Sequence, residues 1–380
     1  MRFIMGKGVP NSLGIPKEVK NKENRVGLTP SGVRSLLSVR PDLKIIVQVD
    51  AGVGAGYTNE DYNEAGAILG TVHNVWNCDM VMKVKEPVAE EFQYLREDLL
   101  LFTYLHLADC TDLAKVLLER KTTVVDYGTV RLPDGRIPML VPMSEVAGRM
   151  AAQVGARYLE STNGGKGILL GGTVGTPPAL TLVLGTGAVS VNAAKVAAGM
   201  GSDVILFGVD AKQMEDVMGL GLPNTRVLYS DPTTIAKFVP RADLIISGVL
   251  IPGFRAPRLV TEEMVKSMQP GSVIIDVAID QGGSIETAAV TTHDDPIFVK
   301  HGIIHYGVAN MPGAVPRTST EALVATTLPY ARLLVTLGLR EASERRPELL
   351  GGVNVTGGYC CHPGVAEALG VCCERPEIHL

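Results

Sequence analysis

The chain has 380 residues, 46% of them hydrophobic, and 42 glycines, a length beyond that at which single cores usually stop growing, so two domains are predicted. Its net charge of -5, spread without basic or acidic blocks, gives no electrostatic footprint for nucleic acid or an anionic membrane, and small-molecule chemistry is favoured. The apolar part of the N-terminus is too short for a signal-peptide core, and the run around Leu180 to Ala194 is interrupted by glycines and polar residues, so a cytoplasmic protein is expected.

In chain order, short β-branched runs at Ile45 to Val49, Met80 to Val84 and Thr123 to Tyr127 alternate with helical segments, the pattern of a parallel sheet with crossover helices. Thr29 is placed to cap a helix and Pro30 suits its first turn. Ser144 to Leu159 reads as a long helix whose Gly148, Ala152 and Gly155 would let a neighbour pack closely. Asn163-Gly-Gly and Gly171-Gly172 bracket what reads as a hairpin. The stretch from Ala179 to Asp210 is an apolar strand, a glycine turn, a small-residue helix and a second apolar strand, as in a dinucleotide-binding unit. Gly185 would allow the tight turn and Gly187 the approach of a pyrophosphate to the amides opening the helix. Two positions depart from that pattern: Ser190 stands where a third glycine belongs, and Gly208 where an acid would hold the adenosine ribose. Further strands follow at Asp243 to Ile246, Val273 to Val277 and Ile303 to Tyr306. Thr318-Ser-Thr-Glu321 then reads as a capping box before a long apolar helix that Pro329 should kink.

Six cysteines in a chain of this length are expected to be free thiols. Cys360, Cys361, His362, Cys372 and Cys373 cluster near the C-terminus, but adjacent cysteines chelate one ion poorly and C-x-x-C spacing is absent, so no metal is expected.

Several separate segments carry unusual polar residues. Arg25 precedes a capped helix, either as a surface arginine or as a guanidinium able to take a carboxylate bidentately. Lys83 and Lys85 alternate with Val84 after an apolar strand and are expected on one face, where Lys85 either meets a ligand or is merely solvated. His106 lies inside L-L-L-F-T-Y-L-H-L-A, either as a core histidine satisfied by backbone groups or as an acid and base near neutral pH. Asp280 is read as an acid at the end of a buried strand with a glycine turn behind it, with Asp276 on the same face as a structural group.

Taken together, I-P-K-E-x-K-x-x-E-x-R-V at Ile15 to Val26, K-V-K-E-P at Lys83 to Pro87, L-F-T-Y-L-H-L-A at Leu101 to Ala108 and P-M-S-E-V-A-G-R at Pro142 to Arg149 resemble the alanine dehydrogenase and pyridine nucleotide transhydrogenase family. A-I-D-Q-G-G at Ala278 to Gly283 and V-A-N-M-P at Val308 to Pro312 extend the resemblance, with the glycine-turn unit between, over about Gly14 to Tyr330.

The resemblance implies an α/β fold of two Rossmann-like domains, with parallel sheets flanked by helices. A discontinuous substrate domain would span residues 1–138 and 317–380, with a dinucleotide-binding domain, 139–316, inserted. It implies reversible oxidative deamination of L-alanine to pyruvate and ammonia with NAD as cofactor. By motif match, Arg25 and Lys85 would bind substrate, His106 would be the acid and base, and Asp280 would contact the cofactor or stabilise charge. The matching cofactor positions are Ser144, Gly185, Gly187, Ala188, Val189, Asp210, Ser230, Val249, Leu250, Val277, Asp280, Val308, Asn310 and Met311.

Gly208 in place of the ribose-binding acid leaves NADP open, with Asp210 or Lys212 as candidate contacts, and the family's acid after Tyr127 is replaced by Gly128. Similar enzymes are homohexamers, so a homo-oligomer is expected, with no nucleic-acid or membrane partner. A transhydrogenase-like NAD-binding component, a saccharopine-type dehydrogenase and a catalytically silent nucleotide-binding regulator are the alternatives.

Overall fold

The computed structural model describes residues 8–249 and 256–380. The chain divides into two compact units, one ending at Met143 and resuming over Val315–Leu380, the other Ser144–Ala314.

In the first unit, β1 (Ser12–Ile15), β2 (Lys44–Gln48), β3 (Ile68–Gly70), β4 (Met80–Met82), β5 (Leu100–Thr103) and β6 (Thr123–Asp126) run parallel. In the second, β7 (Leu180–Leu184), β8 (Asp203–Gly208), β9 (Thr225–Tyr229), β10 (Leu244–Ser247) and β11 (Val273–Asp276) do the same, while β12 (Ile297–Lys300) lies antiparallel to β13 (Ile303–Tyr306). The chain then returns to the first sheet through β14 (Val353–Thr356), antiparallel to β6, and β15 (Tyr359–Cys360).

The first sheet has the order β15-β14-β6-β5-β4-β1-β2-β3. Its central strands are buried on both faces, which is why they read as uninterrupted apolar runs. Trp76, Leu101, Leu113, Leu117 and Val355 form the core of one face. The second sheet, β12-β13-β11-β10-β7-β8-β9, reverses direction between β7 and β10. Ligands sit beyond the carboxyl ends of such strands, at the point of reversal.

The helix Pro30–Val39 begins as its sequence dictates: Thr29 Oγ1 accepts from Gly32 N at 3.1 Å and Pro30 occupies the first turn. The helix predicted from Ser144 begins earlier and spans Val141–Tyr158. A Cβ on its Gly148 would lie 2.1 Å from the Val189 carbonyl oxygen, so the absence of a side chain lets this helix approach the one at Ala188–Gly199.

Four local expectations are corrected. Residues 163–172 form no hairpin of strands: they are turns following the 3-10 segment Ser161–Asn163, with Gly164, Gly167 and Gly172 at positive φ. The helix Pro316–Arg345 starts at its proline, so Thr318 is not its cap. Within it Glu321 accepts from Arg317 Nε at 2.6 Å and from Tyr57 at 3.0 Å. Its break lies at Gly338 (φ 74°, ψ 170°), while Pro329 is accommodated inside the helix. Finally, β11 ends at Asp276, and Asp280 belongs to the 3-10 turn Ile279–Gln281.

The helix Pro316–Arg345 is long and apolar enough to cross a membrane by composition alone. It carries buried Leu323, Val324, Leu334, Val335 and Leu339 and packs against Pro30–Val39, as a core helix does. The cysteines are free thiols.

Candidate active site

Four adjacent strands of the first sheet, β6, β5, β4 and β1, deliver polar residues just beyond their carboxyl ends. The segment after β1 carries Glu18, Glu23 and Arg25. Lys83 and Lys85 follow β4, Tyr104 and His106 follow β5, and Asp126 closes β6. Neighbouring strand ends stay in register past the sheet, with Lys83 N donating to Phe102 O at 3.2 Å and Thr103 Oγ1 to Lys85 O at 3.1 Å.

Arg25 is buried, not a surface arginine. Its fork grips Glu23, Nε to Oε1 at 2.7 Å and Nη2 to Oε2 at 2.5 Å, while Nη1 rests on Met143 Sδ at 3.1 Å, a weak acceptor. Burial opposes the charge, but the Glu23 carboxylate outweighs it and holds the guanidinium's pKa up. Glu23 is thus a positioning group that motif reasoning passed over, although its two-residue offset from Arg25 was the available signal.

The two lysines have different surroundings. Lys83 is fully buried between Glu91 (2.8 Å) and Glu18 (3.4 Å). Lys85 is half-buried, and its pKa is lowered by burial and by the positive charge of Arg25. A Lys85 that binds substrate as a cation therefore loses that charge at a lower pH than an ordinary lysine. Affinity for an anionic ligand held by Lys85 should fall as pH rises through that range, whereas Lys85→Arg should remove the fall, since arginine stays charged. Initial-rate measurements across the alkaline range check this.

His106 overturns the core-histidine reading. The apolar run ends at Leu105, and His106 itself is exposed, at φ 50° in the left-handed region that non-glycine residues rarely adopt. Its carbonyl accepts from Asp109 N and Cys110 N, both at 3.0 Å, and its ring lies nearly parallel to that of buried Tyr104, centroids 6.3 Å apart.

In the second unit the cofactor candidates gather at the carboxyl ends of the parallel strands. Gly185 (φ 97°) makes the turn after β7, and its amide donates to Phe207 O at 2.8 Å. Gly187 caps the helix that Ala188 and Val189 open, and a Cβ there would meet nothing within 4 Å, so the space before the helix is open. Ser190 is buried with its hydroxyl donating to Leu184 O at 2.8 Å, so the missing third glycine leaves no unsatisfied group. Ser230 follows β9, Val249 follows β10, Val277 follows β11, and Val308, Asn310 and Met311 follow β13. Val308 and Met311 are buried, which leaves backbone as their means of contact with a ligand. Leu250 lies outside the described residues. Ser144 is half-buried near the start of Val141–Tyr158. Asp280 is exposed, while Asp276 is buried and accepts from Ser284 N (2.8 Å) and Ile285 N (3.2 Å), a structural use.

Around Gly208 the structure is closed. A Cβ there would lie 2.5 Å from Thr186 Cγ2 and 2.8 Å from Met214 Cγ, and Thr186 Oγ1 donates to Gln213 Oε1 at 2.7 Å nearby. Asp210 caps the helix Ala211–Gly219, accepting from Gln213 N at 2.8 Å. The turn, the open Gly187 and the helix N-terminus fit a dinucleotide pyrophosphate. No carboxylate stands in the usual ribose position.

Residues 14–147 match the family model described as alanine dehydrogenase/PNT, N-terminal domain, and residues 151–363 that of the C-terminal domain. The chain belongs to the alanine dehydrogenase/PNT family. An alanine dehydrogenase of Staphylococcus haemolyticus is 51% identical over 361 residues, covering 94% of this chain and 96% of that protein. Alanine dehydrogenase 2 of Staphylococcus aureus is 51% identical over 358 residues, with the same coverage, 94% and 96%. A solved L-alanine dehydrogenase superposes with a TM-score of 0.91 at 44% identity, covering 94% of this chain and 99% of that one. A transhydrogenase from Sinorhizobium meliloti shares the fold, with a TM-score of 0.80 at 24% identity over 92% of this chain and 99% of its own.

Proposed function

We propose that the chain is an NAD-dependent oxidoreductase that reversibly deaminates L-alanine to pyruvate and ammonia. The observation that carries this reading is the 51% identity, over 94% of the chain, to a curated alanine dehydrogenase. The cluster of Arg25, Lys85 and His106 at neighbouring strand ends supports it, and favours a dehydrogenase over a transhydrogenase component or a silent nucleotide binder. Absorbance of reduced nicotinamide on adding L-alanine to enzyme and NAD tests it, and no turnover overturns it.

In this reading Arg25, held in plane by Glu23, takes the alanine carboxylate, and Lys85 takes the carboxylate or, in reverse, the carbonyl oxygen. Fixing both ends of a small substrate orients its Cα hydrogen. His106 accepts the proton that the ammonium group must lose before the Cα hydrogen can leave as hydride, releases it to solvent from its exposed position, and then takes a proton from the water that attacks the imine and returns it to the departing amine. Bound NAD supplies the hydride acceptor. Asp280 contacts the cofactor or stabilises developing charge. The sum is alanine, NAD and water to pyruvate, ammonium, NADH and a proton.

The pyrophosphate rests on Gly185, Gly187 and the amides of Ala188 and Val189, with Ser144, Ser230, Val249, Leu250, Val277, Val308, Asn310 and Met311 contributing along the ligand. With no acid at Gly208, and with Asp210 engaged as a helix cap, little repels a 2′-phosphate, so discrimination against NADP is weak. Gly208→Asp alone should not restore it, because Thr186 and Met214 occupy the space of the new side chain. Thr186→Ala with Gly208→Asp should move the NAD/NADP ratio of kcat/KM toward NAD by about tenfold, the scale of one like-charge repulsion. Parallel kinetics with both cofactors decide this.

Self-association into a homo-oligomer is part of the proposal, on family grounds, and the solution mass tests it.

A further inference from the structure

The buried carboxylate at the end of β6 has no role in the chemistry above. Asp126 is buried, with its carboxylate fully enclosed in the first unit. Oδ1 accepts from Gly128 N at 2.8 Å and from Leu105 N at 3.3 Å, and Oδ2 accepts from Asn354 Nδ2 at 3.1 Å. Asn354 is in turn fixed through its own Oδ1, which accepts from Thr129 Oγ1 at 3.2 Å. One side chain thus ties the turn that carries His106 to its own strand end and to the returning strand β14.

The arrangement depends on two unusual local features. His106 holds φ 50°, a conformation that is strained for a residue with a Cβ and persists only where its surroundings enforce it. The amides of Leu105 and His106, the two residues entering that conformation, both face the Asp126 carboxylate and favour its charged form. At Gly128 a Cβ would stand 3.3 Å from Asp126 Oδ1, so the absence of a side chain there leaves the carboxylate its place. A buried carboxylate is a costly choice for a purely structural tie, because an uncharged amide acceptor loses less on leaving water. Burial pushes the Asp126 carboxyl group above the usual carboxylate range, and the positive form of His106 and the amides of Gly128, Leu105 and His106 pull against that shift.

We infer that Asp126 is a positioning residue for His106, holding the strained turn at Leu105 and His106 through its carboxyl group, with Gly128 making room for it. It touches neither substrate nor cofactor, and it acts through the histidine. The inference rests on the acid and base role proposed for His106, and the experiment separates the two.

The test is a double-mutant cycle of Asp126→Asn and His106→Ala in the full-length enzyme, with kcat, KM for L-alanine and Kd for NADH measured for each variant. Asp126→Asn keeps the shape, removes the charge and replaces one of the two accepting oxygens with a donor. It should lower kcat about 10²-fold, the scale of a modest misplacement of a reacting group, with Kd for NADH unchanged. In the His106→Ala background the same substitution should cost less than about twofold, since the group it acts through is gone. The ring resonance of His106, identified by its loss in His106→Ala, should shift in Asp126→Asn, which a distant packing change would not cause. An equal loss of kcat in both backgrounds, or an unmoved His106 resonance, overturns the role of Asp126. Undiminished turnover in His106→Ala would instead remove the acid and base assignment, and the positioning role with it.

Discussion

Replacing His106 by alanine should lower turnover of L-alanine about 10²- to 10⁴-fold, the usual contribution of a positioned acid and base, while folding and NADH binding are kept. The separation of these effects follows from where the ring sits. His106 is exposed, so its truncation opens no cavity, and the hydrogen bonds of buried Asp126 go to Gly128, Leu105 and Asn354 and do not depend on its ring. The cofactor candidates stand on strand ends of a different unit, Ser144–Ala314. A variant that lost cofactor affinity and thermal stability in step with activity would contradict the assignment. Turnover with L-alanine, fluorescence titration with NADH and a thermal melt together give the answer.

The second large effect concerns stability. Lys83→Met should destabilise the first unit by about 3–5 kcal/mol, the cost of breaking a buried ion pair from one side. Lys83 is buried, and its ammonium lies 2.8 Å from Glu91 Oε1 and 3.4 Å from Glu18 Oε2, with the Trp76 ring centroid 5.7 Å away. Both acids are committed elsewhere too: Glu18 Oε1 accepts from Val84 N at 2.6 Å and Glu91 Oε2 from Val88 N at 3.0 Å. Neither can turn to water when the lysine goes. Burial already raises the pKa of Glu18 in spite of Lys83, whose charge pulls it down, so the variant should raise it further. A carboxyl group whose folded pKa lies above its unfolded value adds stability at low pH and loses it as pH rises through the folded pKa. The deficit of Lys83→Met should therefore grow from acid toward neutral pH. Urea denaturation at several pH values measures this, and a loss under about 1 kcal/mol at neutral pH would mean that the triad is more open to water than its geometry implies.

Part of each sheet was readable because parallel strands covered on both faces must be apolar throughout; Thr123–Asp126 and Leu244–Ser247 fall within a residue of their expected bounds, whereas β1, β3, β5, β9, β12, β14 and β15 were not anticipated. The helix cap at Thr29 was readable because it is a local hydrogen bond. Local signals failed where a competing local or tertiary term won. Thr318-Ser-Thr-Glu321 has capping-box spacing, but Pro316 starts the helix two residues earlier, and Glu321 is drawn to Arg317 and Tyr57.

At the candidate site, residue types were legible and their surroundings were not. The run around His106 looked like core because seven of its ten residues are apolar, yet one left-handed residue lifts the ring out of it. Arg25 looked ready for a ligand's carboxylate, and its fork is occupied by Glu23, two residues away. Gly208 looked like a simple deletion of an acid, whereas the space is filled by Thr186 and Met214, contacts made across a turn that sequence spacing does not reveal.

The central claim is that the hydrogen on Cα of L-alanine passes as hydride to the nicotinamide. Turnover of L-alanine carrying deuterium at Cα, followed by mass spectrometry of the reduced dinucleotide, tests this most directly. The dinucleotide should gain one deuterium for each pyruvate formed; unlabelled product, or pyruvate formed without reduced dinucleotide, would rule out hydride transfer from Cα.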